Sequence, residues 1–162
     1  MSDEAPEKVC ATLIQEMRSL HLSTVGPDEM PHASYTPYLY RAPCSFYIFV
    51  SQLAAHTRHV LANGKAAIMI IEDEQSAAQI FARTRVHYVC QAERIAPDHP
   101  EYLDLLDGYQ DRHGNMVGML RQLPDFVLFK LRPTSGQFVM GFGKAYKLTG
   151  EDVSIFEHAR SG

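Results

Sequence analysis

A mainly β domain, an antiparallel barrel with helices on its outside, is the fold class this sequence predicts. Three observations predict it. About six stretches rich in β-branched and aromatic residues recur at short intervals along the 162-residue chain. Only short helical patterns separate them. The most regular stretch, DFVLFKLRPTSGQFVMGFGKAY at 125–146, alternates like two strands of a hairpin. Strands with brief helical insertions, in a chain of this length, suit one barrel-like unit. No linker, repeat or low-complexity segment divides it. Residues 1–162 therefore read as a single domain with an N-terminal helix at 5–20 and a helical insertion at 97–123.

The elements can be justified in order. Apolar Val9, Leu13, Met17 and Leu20 recur at helical spacing and predict an amphipathic helix. Residues 22–25 start a strand that Pro27-Asp28 turns. Residues 32–40 and 45–50 are the next two strands, parted by Ala42-Pro43. A short helix over 53–62 stops at Asn63-Gly64, a C-terminal signal. A buried strand at 66–71 and a short helical piece ending at Ala82 lead to a long strand at 84–95. Helices at 97–113 and 115–123 are parted by Gly114. The hairpin then spans 125–148, with its two strands joined at 132–136. A last short helix is predicted over 151–158.

Composition excludes several classes. A formal net charge of −4 argues against a nucleic-acid binder, which shows a basic stripe. No apolar run approaches the roughly 18 residues of a membrane span. The acidic, polar start MSDEAPEKV is no signal peptide. Three cysteines, Cys10, Cys44 and Cys90, are odd in number and lack CxxC spacing, which suits a reducing cytoplasm.

The hairpin carries the first functional suggestion. Phe138, Met140 and Phe142 are interleaved with glycines at 136, 141 and 143, and a lone carboxylate, Asp125, stands at the start. Glycine in an apolar strand marks a bulge or a close approach to the backbone. An apolar, notched wall beside one acid is what a flat hydrophobic cofactor needs. His56 and His59, three apart, have metal-ligand spacing, but no third ligand is evident and a solvated helix face is the simpler explanation.

Five segments together resemble a known family: SYTPY (34–38), SQLAAHTRHV (51–60), IMIIEDE (68–74), IFARTRV (80–86) and DFVLFKLRP…GQFVMGFGKAY (125–146). In order and spacing they are similar to the haem-utilisation proteins of the HutZ/HugZ type, within the pyridoxamine 5'-phosphate oxidase-like, FMN-binding split-barrel superfamily. The similarity runs from about residue 21 to residue 156. It implies a six-stranded antiparallel split barrel, a homodimer with ligand sites at the subunit interface, and haem binding with oxidative degradation fed by an external reductant.

The resemblance also assigns roles. Asp125 falls where a family acid from one subunit hydrogen-bonds the iron-ligating histidine of the other, the kind of partner that raises imidazole basicity. Arg85 falls where a family arginine lies near the haem propionates. Phe126, Phe138 and Phe142 would line the slot. His56 matches a family histidine near the dimer interface. The ligand histidine itself follows a glycine near the C-terminus, and ungapped alignment puts that position directly after Gly162. His158 is the nearest histidine within the chain.

FMN is the alternative cofactor. Flavin oxidases of the superfamily hold the phosphate with cations on the strand equivalent to 32–40 and on the next helix. Here Ser34 and Leu39 stand at the strand positions, and the helix offers His56, Arg58 and His59. Arg58 with Thr57 is the remaining phosphate grip. A haem carrier without turnover is a third reading. Plainer explanations stand beside each residue. Asp125 can simply begin a strand, Arg83 and Arg85 can pair with 72–74, His158 can be an exposed terminal residue, and the phenylalanines can be core.

Overall fold

Pro6, at the first helical position, starts α1 (Pro6–Glu16) in the computed structural model, which describes residues 4–159. The chain continues through β1 (Ser19–Val25), β2 (Pro31–Pro37), β3 (Leu39–Arg41), β4 (Ser45–Ser51), α2 (Ala55–Asn63) and β5 (Lys65–Ile71). Two single 3-10 turns, Glu74–Ser76 and Ile80–Ala82, precede β6 (Arg85–Ile95). Then come α3 (Tyr102–His113), α4 (Met116–Leu120), β7 (Phe126–Val139), β8 (Ala145–Thr149) and β9 (Ile155–His158). None of the described helices is long and apolar enough to cross a membrane.

One antiparallel sheet runs β2-β1-β5-β6-β7-β4-β3, with β8 added to β7 and β9 to β8. The 14-residue β7 lies along β6 on one edge. On its other edge it pairs first with β4 and later with β8. The sheet curls into the half-barrel expected of a split-barrel protein, with more strands than the six read from sequence. Inward residues of β1, β4, β5, β6 and β7 meet in one core: Leu20 and Leu22, Phe46 and Ile48, Ile68 and Ile70, Val86 and Tyr88, Phe129 and Leu131. Cys10, Leu13 and Ile14 of α1 plug it. The outward side of β4 and β7 is covered by α3 and α4, where Tyr47, Phe49 and Leu128 meet Leu105, Leu106 and Val117. This is why SFYIFVS is buried on both faces.

Three expectations are corrected. The hairpin does not reverse at 132–136. Pro133-Thr134-Ser135-Gly136 has turn composition, yet the backbone stays in β7. Pairing with β6 wins, because the register slips between Val89 and Cys90, with Cys90 opposite Pro133; a residue without an N–H fits at such an irregularity. Gly136 allows close approach to β6 itself, since a Cβ there would lie 2.6 Å from the His87 carbonyl oxygen. The reversal falls at 141–144, where Gly143 has φ of 70° and Met140 N donates to Lys144 O.

The predicted helix over 151–158 is a turn followed by β9, which pairs with β8 from Tyr146↔His158 to Thr149↔Ile155. Phe156 packs its ring onto Phe138 and Tyr146, so sheet packing overrides a weak helical pattern. The N-terminal helix also ends earlier than residue 20. Leu20 lies in β1, fully buried in the barrel.

One sheet face stays bare. Across five strands the outward residues form a row Tyr35–His21–Met69–His87–Gln137, and beside it Ala33–Ser23–Ala67–Val89–Ser135. None of the ten is an acid, Lys or Arg. Tyr35 is 70% exposed and Val89 50%.

Candidate functional site

The corner between β4 and α2 is built around Asp125. Its carboxylate accepts a hydrogen bond from the Ser51 hydroxyl at 2.6 Å, and its carbonyl accepts one from Gln52 N at 2.8 Å. The Ser51 oxygen in turn accepts from Leu53 N at 3.1 Å. The acid is therefore held at the start of β7 beside the loop that leads into α2. Leu53, in that loop, is 82% exposed.

Beneath α2 lies a polar cluster. Ser34 donates its hydroxyl hydrogen to Leu22 O at 3.1 Å. Its oxygen must then accept from His56 Nδ1, 2.9 Å away, which puts the His56 proton on Nδ1 and leaves Nε2 with its lone pair. Burial lowers the His56 pKa, and the nearby His32 and His59 lower it further. His59 Nδ1 meets Thr24 Oγ1 at 2.9 Å, and its ring stands edge-on to His32. Among the described residues no group of three or more His, Cys, Asp or Glu side chains is disposed to hold a metal ion. Arg58 bends back to donate to Leu53 O at 2.8 Å, at the start of its own helix.

Arg85 heads β6 on the same side as His87 and Val89, at the edge of the bare face. It is half-buried and donates to Arg83 O at 3.0 Å. Arg83 donates to the Glu72 carbonyl, while the Glu72 carboxylate accepts from Thr84 N. Among the described residues neither guanidinium makes an ion pair, so pairing with the acids of 72–74 does not account for them.

The three slot phenylalanines point to three places within one chain. Phe126 packs beside Phe49 under the α3–α4 layer, ring centroids 5.2 Å apart. Phe142 is 70% exposed in the 141–144 turn. Phe138 is fully buried in the barrel core, so it offers no wall to a ligand. The slip at Val89/Cys90 changes which β7 side chains face inward, and that could not be read from period-2 alternation. His158, exposed on β9, donates Nε2–H to Gly143 O at 2.7 Å and leaves Nδ1 free. The position after Gly162 lies outside the described residues. Ser51 and Ser34 were missed as partners of Asp125 and His56. Neither pairing has a local sequence signal, since the partners lie 74 and 22 residues apart.

The comparisons agree with this architecture. Residues 6–140 match the family described as pyridoxamine 5'-phosphate oxidase. The chain is 36% identical over 148 residues to "Heme oxygenase HutZ" of Vibrio cholerae, covering 91% of this chain and 84% of that protein. It superposes on the crystal structure of HutZ, described as the haem storage protein from Vibrio cholerae, with TM-score 0.79 and 30% identity. That match covers 86% of this chain and 99% of the other. Campylobacter jejuni ChuZ superposes with TM-score 0.84 at 25% identity, over 94% of this chain and 61% of that one. The chain belongs to the pyridoxamine 5'-phosphate oxidase-like split-barrel family, in its HutZ-type branch.

Proposed function

We propose that this protein binds haem between two subunits and cleaves the porphyrin oxidatively, releasing iron with electrons from an external donor. The observation that carries the reading is the 36% identity to a haem oxygenase over nearly the whole chain. The geometry supports it in three respects. Arg85 is a half-buried cation with no ion-pair partner among the described residues, suited to a propionate. Asp125 is fixed by Ser51, so it can present a carboxylate to the iron-ligating imidazole of a second subunit. Two rows of a bare sheet without acid, Lys or Arg share the charge depletion of an interface core.

Haem, as substrate, supplies the iron that activates oxygen. The chain's own part is to anchor the propionates, orient the axial imidazole and keep water from the porphyrin edge. Three unpaired cysteines support a cytoplasmic setting.

The second reading, FMN binding, rests on the family match and on Arg58 at the uncapped start of α2. Absorbance titration with haem and, separately, with FMN tests both. A Soret band that saturates near one haem per subunit is expected, with no FMN uptake at micromolar concentration. Tight FMN binding without haem binding would overturn the reading. Ascorbate and oxygen added to the haem complex then separate enzyme from carrier: loss of the Soret band with iron release is expected, and a stable haem spectrum would leave a carrier.

A further inference from the structure

A second place in the molecule shares no residue with the site above. α1, the turn at 42–44 and the turn at 150–154 surround a pocket of about 210 Å³. Cys10 of α1 and Cys44 of the first turn both line it, as do Tyr88 and Tyr40. The Tyr88 hydroxyl lies 3.9 Å from Cys10 Sγ. The same hydroxyl acts on Cys44, easing loss of its proton. Charge on Cys44 also helps hold the Cys10 thiol up, after burial. Cys90 faces elsewhere, its Sγ against the Tyr88 carbonyl, and it does not line the pocket. We propose that Cys10 and Cys44 form a reversible disulfide across this pocket when the protein meets hydrogen peroxide.

The environment argues for this product over others. Burial pushes Cys44 up to about 11 and Cys10 up to about 12, so neither is an open, fast-reacting thiolate. Cys44 is the more accessible of the two and is pushed up less by burial, so it reacts first. Its sulfur donates an electron pair to peroxide; the O–O bond breaks, a sulfenic acid forms and one water leaves. Cys10 then attacks that sulfur; the S–S bond forms, the S–O bond breaks and a second water leaves. Two thiols and one hydrogen peroxide thus give one disulfide and two waters. The product is uncharged, whereas a sulfinate in the same place would bury a charge without a partner. The bond would tie α1 to the β3–β4 turn and close the loop between positions 10 and 44.

The test uses the purified full chain. After hydrogen peroxide at pH 8, thiols titrated in denaturant should fall from three to one. A non-reducing peptide map should join Cys10 to Cys44, and dithiothreitol should restore all three thiols. Cys90→Ala should lose the same pair. Cys44→Ser should lose none to an intramolecular bond, and the wild-type map decides the matter if that variant fails to fold. The oxidised chain should melt several degrees higher, as closing a long loop constrains the unfolded chain. A bridge containing Cys90, bridges only between chains, or three intact thiols after both peroxide and diamide would overturn the proposal.

Discussion

The Ser51 hydroxyl donates to the Asp125 carboxylate across 2.6 Å, joining the end of β4 to the start of β7. That bond occupies one lone pair of Oδ2 and fixes the plane of the carboxylate. It leaves the other oxygen as acceptor for an imidazole N–H. Asp125→Asn keeps the shape and removes the charge. The expected outcome is normal folding and haem uptake, with degradation slowed about 10–100-fold, the usual effect of losing a group that orients a metal ligand. Ser51→Ala, which leaves the charge in place, should cost less. Equal turnover in Asp125→Asn and parent would return Asp125 to the role of a strand-start residue.

The bare rows give a second prediction. Val89, at 50% exposure, sits among Ala33, Ser23, Ala67 and Ser135, all small. A second copy can approach such a surface closely, and isologous dimers are the commonest closed assembly. Sedimentation of the parent should give about twice the 18.2 kDa chain mass. Val89→Arg places two like charges near the centre of that contact and should shift the chain to monomer, with haem affinity falling alongside. A parent that sediments as a monomer would remove the interface site.

How much of this was legible in the sequence depends on the scale of the interactions. Strands at 45–50 and 66–71 were plain because local composition and tertiary burial agree there. The reversal after Met140 was misplaced because Pro133 and Gly136 carry turn propensity, and only the slip opposite Cys90 explains why they stay extended. Asp125 stood out as a lone acid beside a greasy hairpin, but its partner Ser51 is 74 residues distant, beyond any pattern rule. Phe138 and Phe142 look equivalent in GQFVMGFG, yet one is core and the other a turn tip. The glycine turn between them, not their chemistry, decides that.

Stability should depend on pH through His113. Its Nε2–H donates to Tyr38 O at 2.8 Å and its ring lies against Tyr109. Burial lowers its pKa below the ordinary histidine value, with the Arg112 and Arg18 charges adding to this against the carbonyl hydrogen bond. The folded state then binds this proton less readily than the unfolded chain. Stability is therefore full above about 6.5 and falls as pH drops below it, levelling off once the folded-state histidine is also protonated. His56, also lowered, acts in the same direction. Urea midpoints at pH 7.5 and pH 5 should differ, and His113→Gln should narrow the difference. An unchanged difference would assign the acid sensitivity to other groups.

Arg85→Ala should weaken haem binding by about 1.5–3 kcal/mol, the range for a hydrogen bond to a charged group. Among the described residues the guanidinium has a backbone carbonyl as its partner and no acid, so an incoming carboxylate would find it uncommitted. Arg85→Lys should recover part of the loss, since the charge remains and the planar fork does not. Haem titration by absorbance reads this directly. Affinity equal to the parent in Arg85→Ala would leave the propionates to another cation.

The last prediction concerns the iron ligand. His158 spends Nε2–H on the Gly143 carbonyl, so only Nδ1 is free, the ring nitrogen nearest its own backbone. Ligation through Nδ1 would bring β9 itself against the porphyrin, and Tyr146 already stands edge-on to that ring at 5.3 Å. His56 has the opposite tautomer, with Nε2 free, but it is half-buried beneath α2. The position directly after Gly162 is the one the family resemblance assigns to the iron ligand. His158→Ala should therefore bind and turn over haem as the parent does. Extending the chain by one histidine after Gly162 should sharpen the Soret band and raise turnover, since an axial ligand fixes the position and the electronics of the iron. Loss of the histidine-bound spectrum in His158→Ala would instead make His158 the ligand, and its loss only in His56→Ala would move the site to α2.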